Sequence, residues 1–123
     1  LGIPLKILNR DVEVFCVDKS LRKIQFQRHI RRLLCLAGFT PLHARLESLN
    51  PLAVQALVVK AFGSIPDILA KGGPHVKKGG MVFILKGKTE EAVECDGFTL
   101  HEIRPYCLPD SSKAYQLFVY RKD

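Results

Sequence analysis

The amino-acid sequence predicts an α/β fold with a mostly parallel sheet that ends in an antiparallel pair of strands. Apolar runs of strand length alternate with segments whose apolar residues recur at helical spacing. Strands separated by helices are typical of right-handed crossovers and parallel pairing. The last two apolar runs, by contrast, are separated only by a turn, which is typical of antiparallel strands.

The first predicted strand covers residues 12–18 and ends in the acid Asp18. A helix is expected from Ser20 to about Leu36, because its apolar residues fall on one side. The residues expected to pack are Phe26, Ile30, Leu33, Leu34 and Ala37. The residues expected to face solvent are Arg28, Arg31 and Arg32. This strand and helix form the first predicted crossover.

The second and third strands are expected over residues 39–45 and 56–62. Gly38 is expected to end the preceding helix, since glycine favours the backbone conformation found after helix C-termini. Asn50 and Pro51 predict a turn or short helix between the two strands.

Ser64 is expected to cap a helix that ends at 72–74. The turn 77–80 then leads into a buried fourth strand over 81–85. Beyond Thr89 the pattern changes. The sequence predicts a short acidic helix with Glu90, Glu91 and Glu94, then strands over 98–107 and 115–121 joined by a turn at 109–112.

Length and composition indicate one folded domain spanning residues 1–123. Apolar residues make up 47% of the chain, and no apolar run approaches the ~20 residues of a membrane span. Four cysteines occur without a paired metal-ligand spacing, so we expect free thiols in a reducing cytoplasm rather than zinc. The net charge of +7 favours a polyanionic partner such as nucleic acid, or else indicates only a basic, soluble surface.

The start of the chain resembles the exit from a glycine-rich turn. Doubly wound folds begin with a strand and such a turn at the centre of the sheet. Here the sequence opens on Leu1-Gly2-Ile3-Pro4, so we expect the first strand to lie upstream.

Two features at strand ends have a chemical interpretation. Asp18 is placed either to accept hydrogen bonds from a ribose or to cap the helix that follows. Lys86 and Lys88 present cations after the fourth strand, as phosphate ligands or as solvated lysines. No nucleophile or zinc-protease motif accompanies the four histidines.

Several short motifs carry a resemblance to a known family that extends nearly end to end. The motifs are Gly2-Ile3-Pro4-Leu5, the run from Val17 to Phe26, His43-Ala44-Arg45-Leu46-Glu47, Lys60-Ala61-Phe62-Gly63-Ser64 and Leu85-Lys86-Gly87. In order and spacing they resemble the RsmG proteins, also called glucose-inhibited division protein B. The Lys-Ala-Phe and Leu-Lys-Gly motifs are the more specific ones.

The resemblance implies a Rossmann-like class I methyltransferase fold and the cofactor S-adenosylmethionine. Gly2 then matches the tail of the loop around the methionine part, and Asp18 matches the acid facing the ribose. Leu46 and Glu47 match the pair that flanks the adenine. Lys60 stands where the family usually carries an arginine beside cofactor and substrate, and lysine lacks the forked geometry of that group.

The activity that the resemblance implies is methylation of N7 of a guanine in 16S ribosomal RNA. Arg22, Lys23, Lys86 and Lys88 are the candidate contacts to RNA phosphates. The expected partner is ribosomal RNA or the small ribosomal subunit, in the cytoplasm, with the enzyme as a monomer. Two alternatives stay open: a methyltransferase with another substrate, and a degenerate or truncated protein that keeps the fold without binding cofactor.

Overall fold

The computed structural model describes residues 2–60, 63–87, 93–109 and 112–123, and these contain three α-helices and six strands. The chain divides into two compact units, Leu1–Leu49 and Asn50–Asp123. We call them the N-terminal unit and the C-terminal unit. The expectation of one domain over residues 1–123 stays a prediction.

The N-terminal unit is built around two parallel strands. Its elements are α1 (Gly2–Leu8), β1 (Val14–Asp18), α2 (Leu21–Leu34), β2 (Phe39–His43) and a 3-10 turn at Leu46–Ser48. Strands β1 and β2 pair in parallel, from Val14 opposite Phe39 to Asp18 opposite His43. The crossover through α2 therefore confirms the first predicted strand–helix–strand unit.

Helix α1 was not predicted, and a buried lysine holds its end. The Nζ atom of Lys6 donates to the carbonyl oxygen of Arg10 at 2.7 Å and to that of Val12. Lys6 is almost fully buried. Buried polar groups need such partners, so its ammonium group connects the end of α1 to the start of β1.

Helix α2 begins at the predicted N-cap residue, but the residue that ends it differs from the prediction. The hydroxyl of Ser20 accepts from the backbone N–H of Lys23 at 3.4 Å, as an N-cap does. At the other end Cys35, with φ 52°, adopts the left-handed conformation that ends the helix. The expectation that Gly38 ends it is wrong, since Gly38 has φ +74° in the turn that follows.

The buried face of α2 also differs from the prediction. Ile24 is fully buried, whereas Phe26 and Leu33 are 59% and 66% exposed. Ile24, Gln27 and Ile30 lie on one side of the helix, and Phe26 and Leu33 lie on a second apolar stripe. The predicted face included Ile30 but not Ile24, and only the tertiary contacts select the side of the helix that packs.

The C-terminal unit is a four-stranded mixed sheet with one α-helix. Its elements are β3 (Val54–Lys60), α3 (Ile65–Gly72), a 3-10 turn at Gly73–His75, β4 (Val76–Lys86), β5 (Phe98–Tyr106) and β6 (Tyr115–Lys122). The strand order is β3-β4-β6-β5. Strands β3 and β4 are parallel, whereas β4–β6 and β5–β6 are antiparallel. The predicted antiparallel C-terminal pair is confirmed.

The core of the C-terminal unit lies between α3 and one face of this sheet. Its buried members include Val59, Ile65, Ile68, Leu69, Val82, Ile84, Phe118 and Tyr120. The hydroxyl of Tyr120 donates to the carbonyl of Val93 at 2.8 Å. Ser64 accepts from the N–H of Asp67 at 3.3 Å, so the predicted cap of α3 is confirmed.

The predicted parallel pairing is confirmed for the strands joined through helices, since β1–β2 and β3–β4 are parallel. Among the described residues the strands pair as a two-stranded and a four-stranded sheet. Residues 88–92, which include most of the predicted acidic helix, lie outside the described residues, as do positions 61–62 and 110–111. In the part of the chain that the structure describes, no helix is long and apolar enough to cross a membrane.

Candidate functional site

The carboxyl ends of β1 and β2 bring the first candidate residues together in the N-terminal unit. Parallel pairing places Asp18 directly opposite His43. Beyond the strands, the N–H of Ala44 donates to the carbonyl of Asp18 at 3.0 Å. The segment that follows β2, which contains Leu46 and Glu47, is therefore held beside Asp18.

The carboxylate of Asp18 has one structural contact and one oxygen left over. Its Oδ1 atom accepts from the N–H of Ser20 at 2.8 Å, just before α2 begins. Among the described residues, no donor lies within hydrogen-bonding distance of Oδ2. Asp18 thus holds the N-cap residue of α2, Ser20, by its backbone N–H. The ribose contact stays a prediction.

His43 is a residue of this edge that sequence reasoning missed. Its Nε2 atom lies 3.1 Å from the carbonyl oxygen of Lys19, although the side chain is exposed. This contact joins the end of β2 to the residue that follows Asp18. The available signal was its position as the first residue of the His-Ala-Arg-Leu-Glu motif, directly after an apolar strand.

Leu46 and Glu47 lie on the 3-10 turn. The N–H of Ser48 donates to the carbonyl of Arg45 at 3.0 Å, which closes the turn around them. Leu46 is half-buried and Glu47 is exposed. An apolar side chain and a carboxylate are thus presented next to each other after β2.

Gly2 begins α1, where close packing explains the glycine. A Cβ atom at this position would lie 2.1 Å from Sγ of Cys16 in β1. One glycine of the nucleotide-binding fingerprint serves this kind of close helix–strand packing. Burial, followed by the negative charge of Asp18, raises the pKa of the Cys16 thiol, so this thiol stays protonated at neutral pH.

Arg22 and Lys23 occupy the first turn of α2, immediately after the Asp18 edge. Both are exposed, and with Ile3, Phe26 and Gln27 they line a shallow cavity of the N-terminal unit. Cations in the first turn oppose the helix dipole. Helix stability therefore gives no reason for this pair, whereas Arg31 and Arg32 in the last turn complement the dipole.

The C-terminal unit places the remaining described candidates at the carboxyl ends of β3 and β4. Lys60 is exposed at the end of β3, opposite Leu85. Lys86 is only 6% exposed, and its Nζ donates to the carbonyl of Gly63 at 2.5 Å. Lys88 lies outside the described residues.

The burial of Lys86 distinguishes between its two predicted roles. A side chain buried this deeply is not a solvated lysine, and the contact to an RNA phosphate stays a prediction. The ammonium group of Lys86 contacts the loop between β3 and α3. The apolar face of β4 carries Val82 and Ile84 into the core, and strand alternation places Lys86 on the same face.

Within the described residues, no group of three or more His, Cys, Asp or Glu side chains is arranged to hold a metal ion. The edge of the N-terminal unit offers a carboxylate oxygen, an apolar side chain, exposed cations and backbone N–H groups. Such groups can bind and orient a nucleoside without performing proton transfer.

Comparison with known sequences gives a family match and several related proteins. The sequence profile of the family described as "GidB: rRNA small subunit methyltransferase G" matches residues 2–111. The chain is 33% identical over 128 residues to ribosomal RNA small subunit methyltransferase G of Geobacter sp. (strain M21), covering 95% of this chain and 59% of that protein. It spans between 35% and 60% of the curated relatives it matches.

Solved structures show the same fold at low sequence identity. M. jannaschii TYW2, determined in complex with AdoMet, is similar with a TM-score of 0.74 and 13% identity, over 98% of this chain and 61% of that one. TrmN from Thermus thermophilus is similar with a TM-score of 0.70 and 17% identity, over 89% and 36%. The predicted class I methyltransferase fold, Rossmann-like and α/β, is confirmed by these neighbours.

Proposed function

The chain belongs to the rRNA small subunit methyltransferase G family, and on that premise we propose that it is part of an enzyme that methylates N7 of a guanine in 16S ribosomal RNA. The observation that carries the proposal is the family match across residues 2–111. The chain covers well under two thirds of its relatives, so the activity is proposed for the whole protein.

The proposed cofactor is S-adenosylmethionine, whose sulfonium makes its methyl group electrophilic. Support comes from the N-terminal unit, where the Oδ2 oxygen of Asp18 fits a ribose hydroxyl donor. Half-buried Leu46 fits the apolar face of an adenine, and the backbone beside Glu47 fits its polar edge. Gly2 permits the close approach of α1 to β1 beneath this edge.

The proposed chemistry asks little of acidic or basic side chains. Guanine N7 carries an unprotonated lone pair in the major-groove edge of the base, so no general base is required. Holding N7 in line with the methyl group and excluding water would supply most of the rate enhancement. Lys60 is proposed to place its charge beside cofactor and substrate, where relatives of this motif usually carry arginine.

RNA phosphates are the proposed ligands of Arg22 and Lys23. Their exposed side chains stand next to the Asp18 edge, in a helix turn that gains no stability from them. Such contacts position a nucleic acid without selecting its sequence. We propose Lys86 and Lys88 for the same role on sequence grounds.

Ribosomal RNA or the small ribosomal subunit is the proposed partner, and the cytoplasm, where the relatives' substrate is made, is the proposed location. A monomer is the proposed state. The choice of RNA as partner follows from the family and is supported by the net charge of +7, which favours association with polyanions.

Calorimetry and methyl transfer test the proposal. We expect S-adenosylmethionine and its demethylated product to bind a version of this chain extended upstream. With radiolabelled cofactor and small subunits that lack the modification, we expect label in 7-methylguanosine after nuclease digestion. If neither the chain nor the extended version bound the cofactor, the degenerate alternative would replace this proposal. Label in another base or another RNA would indicate a different substrate.

A further inference from the structure

Two tyrosines and a lysine form a cluster at the end of the β5–β6 hairpin. The rings of Tyr106 and Tyr115 stack with centroids 5.3 Å apart and an interplanar angle of 19°. The Nζ atom of Lys113 lies 5.6 Å from the centroid of the Tyr115 ring. We call these three residues the tyrosine platform. Lys113 and Tyr115 lie beyond the residues that match the family.

The platform lies at the same sheet end as Lys60 and Lys86. Strand register places Lys86 opposite Gln116, so Tyr115 is level with Gly87. A Cβ atom at Gly87 would lie 3.7 Å from Cε1 of Tyr115 and 3.8 Å from Nζ of Lys113. The cluster therefore adjoins the carboxyl end of β4.

The core does not explain these tyrosines. Along β6, Phe118 and Tyr120 point into the core with α3, and strand alternation puts Tyr115 on the opposite face. Tyr106 and Tyr115 are both half-exposed, and among the described residues neither hydroxyl has a hydrogen-bond partner. Tyr120, in contrast, is fully buried and its hydroxyl is bonded.

We propose that the tyrosine platform stacks against an unpaired base of single-stranded RNA, with Lys113 beside the adjoining phosphate. Aromatic rings next to a cation are the usual means by which proteins hold unstacked bases. The net charge of +7 supplies the attraction to a polyanion. The choice of RNA as the polyanion rests on the function proposed above.

The test compares two forms of one fluorescent single-stranded RNA, with its bases present and with an abasic ribose–phosphate backbone. Anisotropy should show the chain binding the base-bearing strand more tightly, by roughly tenfold. Replacing both tyrosines (Tyr106→Leu with Tyr115→Leu) should abolish this preference. The matched Tyr106→Phe and Tyr115→Phe variant keeps the rings and should keep the preference.

Two lysine substitutions separate the contribution of the charge to RNA binding from that of the rings. Lys113→Gln should weaken binding of both strands, whereas Lys71→Gln in α3 should have little effect. Circular dichroism identifies any variant that fails to fold. A purely structural tyrosine pair would affect thermal stability but would not alter the ratio between the two strands.

The proposed role of the platform is refuted if the folded leucine variant keeps the preference for the base-bearing strand, or if the phenylalanine variant loses it. It is also refuted if the unaltered chain does not distinguish the two strands. Equal binding of duplex RNA, or occupation of the tyrosines by a second protein, would also overturn it. Cofactor calorimetry is a separate readout. If the extended version shows the base preference without binding cofactor, the proposed enzyme is contradicted and the platform stays in place.

Discussion

Individual residues at the sheet ends carry both structural and proposed functional roles. Asp18 accepts from the N–H of Ser20, the N-cap of α2, with one oxygen, and its other oxygen has no donor among the described residues. Lys86 is a charged residue whose observed contact lies within the protein. In both cases the side chain makes a hydrogen bond to the backbone. Conservative substitutions can therefore distinguish its structural role from its proposed functional role.

Asp18→Asn should weaken cofactor binding while keeping the fold. Asparagine retains an oxygen for the N–H of Ser20 but loses the charge that strengthens a bond to a ribose hydroxyl. Hydrogen bonds to charged groups contribute about 1.5–3 kcal/mol, so we expect a loss of roughly ten- to a hundredfold in calorimetric affinity, measured in the extended chain. Glu13→Gln, an exposed acid before β1, is the control. Unchanged affinity in Asp18→Asn would refute the ribose contact.

Lys86→Met should destabilise the C-terminal unit, because the carbonyl of Gly63 loses its donor. An unsatisfied buried group costs about 1–3 kcal/mol. The control is Lys60→Met on the neighbouring strand, where the side chain is exposed and we expect a change within about 0.5 kcal/mol. Urea unfolding measures both variants. Equal effects of the two substitutions would show that the burial of Lys86 has no energetic consequence.

At the scale of elements, α2 shows how one periodic pattern allows two packings. Its apolar residues form two adjacent stripes, and the structure buries the one that contains Ile24. The helix begins where Ser20 provides a cap, and it ends at Cys35 because that residue adopts a left-handed backbone rather than at the glycine three residues later. The cap depends on residues close in the chain. Which side of α2 is buried depends instead on contacts with elements distant in sequence.

Ile24→Ala and Phe26→Ala should differ in their cost, although both remove a large apolar side chain from α2. The fully buried Ile24 should cost about 2–5 kcal/mol, since a cavity remains. The substitution of Phe26, which is 59% exposed, should change the free energy of unfolding by less than about 1 kcal/mol. Chemical denaturation of both variants measures the two changes in the free energy of unfolding. The reverse order would restore the originally predicted buried face.

At the scale of the whole molecule, two compact units share an excess of positive charge and several ionisable groups that are buried or partly buried. Burial is the first cause that raises the pKa of Cys16 and Cys95 thiols and of the Tyr120 hydroxyl. All three groups are neutral when protonated. Both units therefore favour the protonated form of these side chains in the native state.

Stability should fall as the pH rises above about 9, where thiols in the unfolded chain begin to lose protons. Since the native pKa values are raised, the unfolded state releases protons first, and the stabilisation present below pH 9 is lost as the pH passes through the native values. Denaturant midpoints between pH 7 and pH 10.5, measured under reducing conditions, should show this decline. The Cys35→Ala and Cys107→Ala control should keep it. A flat profile would mean that burial does not perturb these groups.

The sequence by itself determined the order of the six strands with α2 and α3, the Ser20 and Ser64 caps, the antiparallel C-terminal pair and the family. These depend on local periodicity, on residues close in the chain and on motif order. Tertiary structure alone decided which stripe of α2 is buried, that Lys86 contacts Gly63, that His43 joins Lys19, and that Tyr106 stacks on Tyr115. Each of these contacts joins residues distant in sequence or depends on how an element rotates against its neighbours, and no local pattern encodes that rotation.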